Sequence, residues 1–182
     1  MPFRSVVGGR AWGGTACEGG DCASDGGTGR GTLVQFDVPE EGLSLYNVSL
    51  VDGFNLPIAF MPAGVEATKD GPCRAARCAA SLDVGCPEAL RRYDEGGAVA
   101  YCESICRACG ACEGCDDCGD LGAAACGGCT EVADVCCGGM GCDANAYTEV
   151  WQSLCPDAIA YAGDEAYVGC DQVVDFDLTF CP

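Results

Sequence analysis

The sequence predicts an all-β fold that is reinforced by disulfide bonds. From Leu43 to Val48 the apolar side chains alternate between the two faces of the chain, as they do in a strand. Residues 174–180 alternate in the same way and predict a C-terminal strand with one buried face. Nineteen of the 182 residues are cysteines, a density typical of disulfide scaffolds made in an oxidising compartment.

The composition restricts the classes of function. Twenty-eight acidic against nine basic residues give a net charge of −19, which repels phosphate backbones and anionic lipid surfaces, so nucleic acids and membranes are poor partners. The sequence contains no histidine, which excludes Ser-His-Asp and Cys-His catalysis and leaves carboxylates as the acid and base groups. No run of about eighteen apolar residues is present to span a membrane.

The clearest strands lie between residues 32 and 62. Val34 and Phe36 share one face, whereas Gln35 and Asp37 share the other. One face can therefore pack against a core while the other carries polar groups. For Asp37 the favoured interpretation is a solvated position on the outer face.

A turn is predicted at Asp52-Gly53. Glycine tolerates positive φ, and an extended pattern resumes from Leu56 to Phe60. The carboxylate of Asp52 is therefore expected to lie between two strands and to point away from the sheet.

One helix is predicted over residues 145–154. Apolar side chains recur there with helical spacing, at Tyr147, Val150, Trp151 and Leu154. This stripe favours packing against a core, and core packing is the interpretation for Trp151.

A ladder of cysteines lies in the stretch 107–134. Its members are Cys109, Cys112, Cys115, Cys118, Cys126 and Cys129. The first four stand at three-residue steps, a spacing by which thiolates can converge on zinc or an iron–sulfur cluster. Disulfides are the favoured interpretation because the set is even, so no metal or cofactor is expected, and the connectivity stays open.

Several segments resemble thaumatin-like proteins, the osmotin-type family of plant defence. The run LVDGFNLP at residues 50–57 resembles the family's most recognisable segment, and residues 32–36 resemble the strand before it. CPDA at residues 155–158 and FCP at residues 180–182 resemble its closing segments. The likeness covers two stretches, roughly residues 10–106 and 135–182.

The resemblance implies an antiparallel β-sandwich with an inserted disulfide-rich subdomain that contains a short helix. Residues 1–69 and 171–182 are expected to form the sandwich and residues 70–170 the subdomain, with the cysteine-rich insertion at 107–134. The family's first strands have no counterpart here. The expectation is therefore an N-terminally truncated chain without a signal peptide, whose sandwich has an exposed edge.

Disulfide pairing follows partly from spacing and partly from the resemblance. Cys17 and Cys22 are five apart with two glycines between them, which favours pairing with each other. The resemblance implies five further bridges, Cys73–Cys170, Cys78–Cys155, Cys86–Cys102, Cys106–Cys136 and Cys137–Cys142. Cys181 is expected to be unpaired, because its family partner lies near the missing N-terminus.

The resemblance also implies a cleft lined by one arginine and four acids. In the family this cleft is associated with β-1,3-glucan binding, antifungal action and, in some members, weak endoglucanase activity. The matching positions here are Arg10, with Arg30 as second choice, then Gln35, Asn47, Asp52 and Glu165, or Asp164 if the alignment slips by one. Gln35 and Asn47 can hydrogen-bond sugar hydroxyls. Because amides do not titrate, neither residue can act as an acid or a base.

The leading hypothesis is a secreted, monomeric, defence-type protein that binds β-1,3-glucan or another cell-wall polysaccharide. Two alternatives stay open. One is a weak endo-β-1,3-glucanase that uses Asp52 and Glu165 as its carboxylate pair. The other is a disulfide-rich inhibitor or interaction protein that acts through the cysteine-rich insertion.

Overall fold

The computed structural model describes residues 5–18, 21–64, 71–110, 144, 146–161, 163–164, 166–171 and 175–182. Its strands are β1 (Val6–Trp12), β2 (Gly14–Glu18), β3 (Asp21–Asp25), β4 (Leu33–Val38), β5 (Ser44–Ser49), β6 (Gly53–Phe54), β7 (Ile58–Pro62), β8 (Ala76–Cys78), β9 (Arg91–Tyr93), β10 (Val99–Glu103), β11 (Ala158–Ile159), β12 (Val168–Cys170) and β13 (Phe176–Phe180). Its helices are α1 (Leu82–Gly85), α2 (Ile105–Gly110) and α3 (Ala146–Leu154), with 3₁₀ turns at Gly26–Thr28 and Glu88–Leu90. The predicted all-β class is confirmed.

The first sheet is built around β5. Its strand order is β1-β4-β5-β11, and β12 also pairs with β5. The β1–β4, β4–β5 and β5–β12 pairs are antiparallel, whereas β5–β11 is parallel. Val34, Tyr46 and Val48 are buried on one face, and Leu45 is exposed on the other, so the predicted alternation of β4 and β5 is confirmed.

Four aromatic rings join the first sheet to a second one of order β13-β7-β8. The ring of Phe60 stacks on Phe176, with centroids 4.6 Å apart, and on Phe36 at 5.4 Å. Tyr46 meets Phe176 edge-on at 4.9 Å. Because these rings come from both sheets, the two sheets pack against one another through a shared aromatic core.

The third sheet, β6-β10-β9, contributes to the same core through Phe54. Phe54 is fully buried and its ring centroid lies 4.8 Å from that of Trp151 in α3. Helix α3 and the core position of Trp151 agree with the prediction. A side chain at Gly85 would come within 2.5 Å of Leu154 Cδ1, so glycine permits α1 to approach α3 closely.

The turn before β6 requires glycine. Gly53 has φ +128°, and a Cβ there would lie 2.6 Å from the carbonyl oxygen of Cys102. Its N–H donates to the carbonyl of Leu50 at 3.0 Å, which closes the turn predicted at Asp52-Gly53. The missing side chain is what lets β6 pair directly with β10.

Four bridges join described cysteines: Cys17–Cys22, Cys73–Cys170, Cys78–Cys155 and Cys86–Cys102. These are the pairings expected from the spacing and the resemblance. Cys106 is also disulfide-bonded, while its expected partner Cys136 lies outside the described residues, as do Cys137, Cys142 and Cys112 to Cys129 of the ladder. Nothing is described of the Cys109 side chain. Cys181 is free and exposed.

The division into a sandwich and a subdomain stays a prediction. β11 and β12 fall within residues 70–170, yet both pair with β5 of the first sheet. The first sheet therefore draws strands from both sides of the expected boundary. Among the described residues, no helix is long and apolar enough to cross a membrane.

Because its hydroxyl is buried and hydrogen-bonded, Tyr46 is expected to make the folded state less stable at alkaline pH. The hydroxyl donates to the carbonyl of Arg74 at 2.6 Å, and burial raises the pKa of Tyr46 from 10.0 to about 12, against the opposing charge of Arg74. The folded state thus holds this proton more tightly than the unfolded state. Its stabilising contribution is complete below pH 10.0 and is lost as the pH rises to about 12.

Urea unfolding at several pH values from 9 to 12 checks this for the wild type and Tyr46→Phe. The free energy of unfolding of the wild type should fall relative to that of the variant above pH 10.0. A difference between the two that stays constant across this range would contradict the prediction.

Candidate functional site

Three polar residues form one row across the first sheet. Arg10 of β1 lies opposite Gln35 of β4, and Gln35 lies opposite Asn47 of β5. Directly opposed residues on neighbouring antiparallel strands project to the same face. The pairing of β1, β4 and β5 therefore brings together side chains that are up to 37 positions apart in the sequence.

This row lines a pocket of about 240 Å³. The other lining residues are Gly8, Gly9, Phe36, Asp37, Leu45 and Tyr167. Packing explains the glycine at position 9, because a Cβ there would lie 2.3 Å from the ring of Phe36. The absence of a side chain at Gly9 therefore lets the ring of Phe36 pack directly against β1.

Asn47 lies at the base of the pocket with an unmet hydrogen-bonding capacity. The residue is 2% exposed, and its Oδ1 has no hydrogen-bond partner among the residues that the structure describes. Leaving a buried carbonyl oxygen unpaired costs about 1–3 kcal/mol. A hydroxyl group that donated to Asn47 would recover this free energy.

Asp37 is the one carboxylate among the described residues that line the pocket, and it is exposed, as the solvated position predicted for it implies. The backbone N–H of Gly8 donates to its Oδ1, which ties β1 to β4 at the pocket edge. Asp37 stands two residues after Gln35, so the alternation of β4 was the signal that placed both on one face.

Asp52 lies elsewhere, beside a guanidinium. A Cβ at Gly29 would be 2.8 Å from Arg107 Nη1 and 3.7 Å from Asp52 Cγ, so both side chains crowd the same glycine. Arg107 Nη1 donates to the carbonyls of Gly29 at 2.8 Å and of Thr28 at 3.0 Å. Asp52 is not among the residues that line the pocket.

Asp164 is engaged in local hydrogen bonds. Its Oδ2 accepts from the backbone N–H of Ala160 at 3.0 Å and from Gln152 Nε2 at 3.3 Å, which holds the segment after β11 against α3. It does not line the pocket, and Glu165 lies outside the described residues. The six-residue cleft stays a prediction, of which the structure places Arg10, Gln35 and Asn47 together.

Comparisons with known proteins point to one family. The family model described as Thaumatin family matches residues 6–182. A Prunus avium protein named glucan endo-1,3-beta-glucosidase is 31% identical over 91% of this chain and 64% of its own length. Pathogenesis-related thaumatin-like protein 3.5 of Cryptomeria japonica is 32% identical over 89% of this chain and 58% of its own length.

A third relative is covered more fully. Thaumatin-like protein 1b of Malus domestica is 31% identical over 96% of this chain and 82% of its own length. The chain spans less than two thirds of the length of the Prunus avium and Cryptomeria japonica proteins. The match to the family model and the identity to these relatives show that the chain belongs to the thaumatin family.

Proposed function

We propose that this chain is a secreted, defence-type protein that binds β-1,3-glucan in the pocket formed by Arg10, Gln35 and Asn47. The observation that carries the proposal is the cross-strand row, with Asn47 at its base, whose buried Oδ1 has no partner in the described part of the chain. A relative named glucan endo-1,3-beta-glucosidase and one named pathogenesis-related thaumatin-like protein 3.5 support a glucan ligand and a defence role. The disulfides support an oxidising, extracellular location.

The chemistry of the row suits sugar hydroxyls. Each hydroxyl both donates and accepts, and an amide offers both capacities, whereas guanidinium offers donors only. Asn47 and Gln35 can thus each pair with a hydroxyl in two ways, while Arg10 fixes an oxygen lone pair. A few polar groups of this kind are what orient a ligand in a concave site.

Hydrolysis is the second candidate function, favoured by the name of the Prunus avium relative. The usual mechanism needs two carboxyl groups on either side of the glycosidic bond. The described lining residues include one carboxylate, Asp37. The geometry therefore supports binding better than catalysis, and antifungal action would follow from binding to the wall polymer.

Arg10→Ala is expected to weaken binding of laminarin, a soluble β-1,3-glucan, on the order of tenfold, as loss of a charged hydrogen-bond donor does. Arg30→Ala is the matched control. Arg30 is also exposed and does not line the pocket, so its removal changes the net charge equally. Isothermal titration calorimetry with wild type and both variants gives the comparison.

Absence of laminarin binding by the wild-type protein would overturn the proposal, as would equal losses in the two arginine variants. Release of reducing sugar from the bound laminarin would move the conclusion from binding to hydrolysis.

A further inference from the structure

An exposed tyrosine extends the polar row by one position. Val168, the first residue of β12, pairs with Tyr46 of β5, so Tyr167 stands level with Asn47. Val168 is buried and Tyr167 is 58% exposed, which places Tyr167 on the pocket face, where it is a lining residue. The row therefore runs across four neighbouring strands and changes from polar to aromatic at its β12 end.

Two leucines continue the apolar surface beside this tyrosine. Leu45 lines the same pocket, and Leu43 and Leu45 are both exposed. Gly169 has no side chain to separate them, since a Cβ there would lie 3.2 Å from Leu43 Cδ1 and 3.7 Å from Leu45 Cδ2. Single exposed apolar residues are ordinary, but a contiguous apolar rim on a polar pocket indicates a binding surface.

We infer that Tyr167 and Leu45 bind the apolar face of a sugar ring whose hydroxyls reach Gln35 and Asn47. This inference rests on the proposed function and specifies which sugars the site takes. The aromatic face attracts the slightly positive hydrogens of C–H groups, and its hydroxyl stays in water. A β-linked glucose unit has equatorial substituents, so its ring faces present C–H hydrogens while its hydroxyls point sideways to polar partners.

The same reasoning gives selectivity between sugars. Galactose carries an axial hydroxyl at C4, which interrupts one of the two apolar ring faces. A gluco-configured ring can therefore lie on the aromatic platform through either face and still turn its hydroxyls to the amides, whereas a galacto-configured ring can lie on it through one face only. Tyr167 is a specificity-determining residue, and Leu45 extends the surface on which the next ring lies.

Tyr167→Ala and Tyr167→Phe test the inference in the full chain, with laminarin and a β-1,4-linked galactan as ligands in calorimetry. Tyr167→Ala should weaken laminarin binding about three- to tenfold and reduce the preference for laminarin over the galactan. Tyr167→Phe keeps the ring and should bind laminarin within about twofold of the wild type. Tyr93→Ala is the matched control, since Tyr93 is 53% exposed and does not line the pocket.

The outcomes separate this inference from the proposed function. If the wild type binds laminarin and Arg10→Ala weakens it, but Tyr167→Ala binds as the wild type does, only the stacking inference fails. Equal losses in Tyr167→Ala and Tyr93→Ala would also overturn it. A wild type that does not bind laminarin removes both proposals. Circular dichroism of each variant establishes that the fold is retained.

Discussion

Removal of the Cys73–Cys170 bridge is expected to lower the free energy of unfolding by about 4–5 kcal/mol, the value of the chain-entropy model for a loop of this length. The two cysteines are 97 positions apart, so the bridge removes much freedom from the unfolded chain. A backbone hydrogen bond lies beside the bridge, since the N–H of Cys73 donates to the carbonyl of Gly169 within β12 at 3.0 Å. Urea unfolding of the Cys73→Ala/Cys170→Ala double variant measures the loss.

The Cys17–Cys22 bridge supplies the matched control. Its cysteines are five positions apart, for which the same model gives about 2 kcal/mol. The short bridge joins directly opposed residues of β2 and β3, so the effect of removing it should be confined to one hairpin. Equal losses in the two double variants would contradict the dependence on loop length.

Phe60→Ala is expected to lower the free energy of unfolding by about 3–5 kcal/mol, as large-to-small changes of buried aromatic residues do. Phe60 is 4% exposed, and its ring contacts those of Phe36, Tyr46 and Phe176. Because these rings come from two sheets, the cavity would open where the sheets meet. Chemical denaturation followed by tryptophan fluorescence gives the measurement.

Phe180→Ala is the control for this second change. Phe180 lies in β13, which pairs with β7, the strand that contains Phe60, but Phe180 is 42% exposed. Its truncation removes less buried apolar area and should cost about 1 kcal/mol or less. A loss for Phe180→Ala as large as that for Phe60→Ala would mean that the aromatic core does not carry the stability assigned to it.

The local sequence pattern is sufficient to predict those elements whose geometry is set by residues near one another in the chain. The alternation in β4 and β5, the helical spacing in α3 and the glycine at position 53 each reflect a constraint that acts within a few residues. The pairing of β11 and β12 with β5 is different, because it depends on contacts between segments more than 100 positions apart. No local signal specifies which sheet such short strands join.

The candidate site shows the same division. Gln35 and Asp37 could both be placed on the pocket face from the alternation of β4, although only Gln35 was assigned there. Tyr167 carries no such signal, since its position follows from the long-range pairing of β12 with β5. Asp52 is only five residues from Asn47, yet the turn that requires Gly53 carries its carboxylate toward Gly29 and Arg107.

The two long bridges also determine how the protein responds to a protease. Both Cys73–Cys170 and Cys78–Cys155 enclose residues 79–154. A single peptide bond cut within that stretch would leave two fragments that are still covalently joined by both of these bridges. The nicked protein would keep the size of the intact chain on a non-reducing gel and would separate into two bands only after a reductant is added.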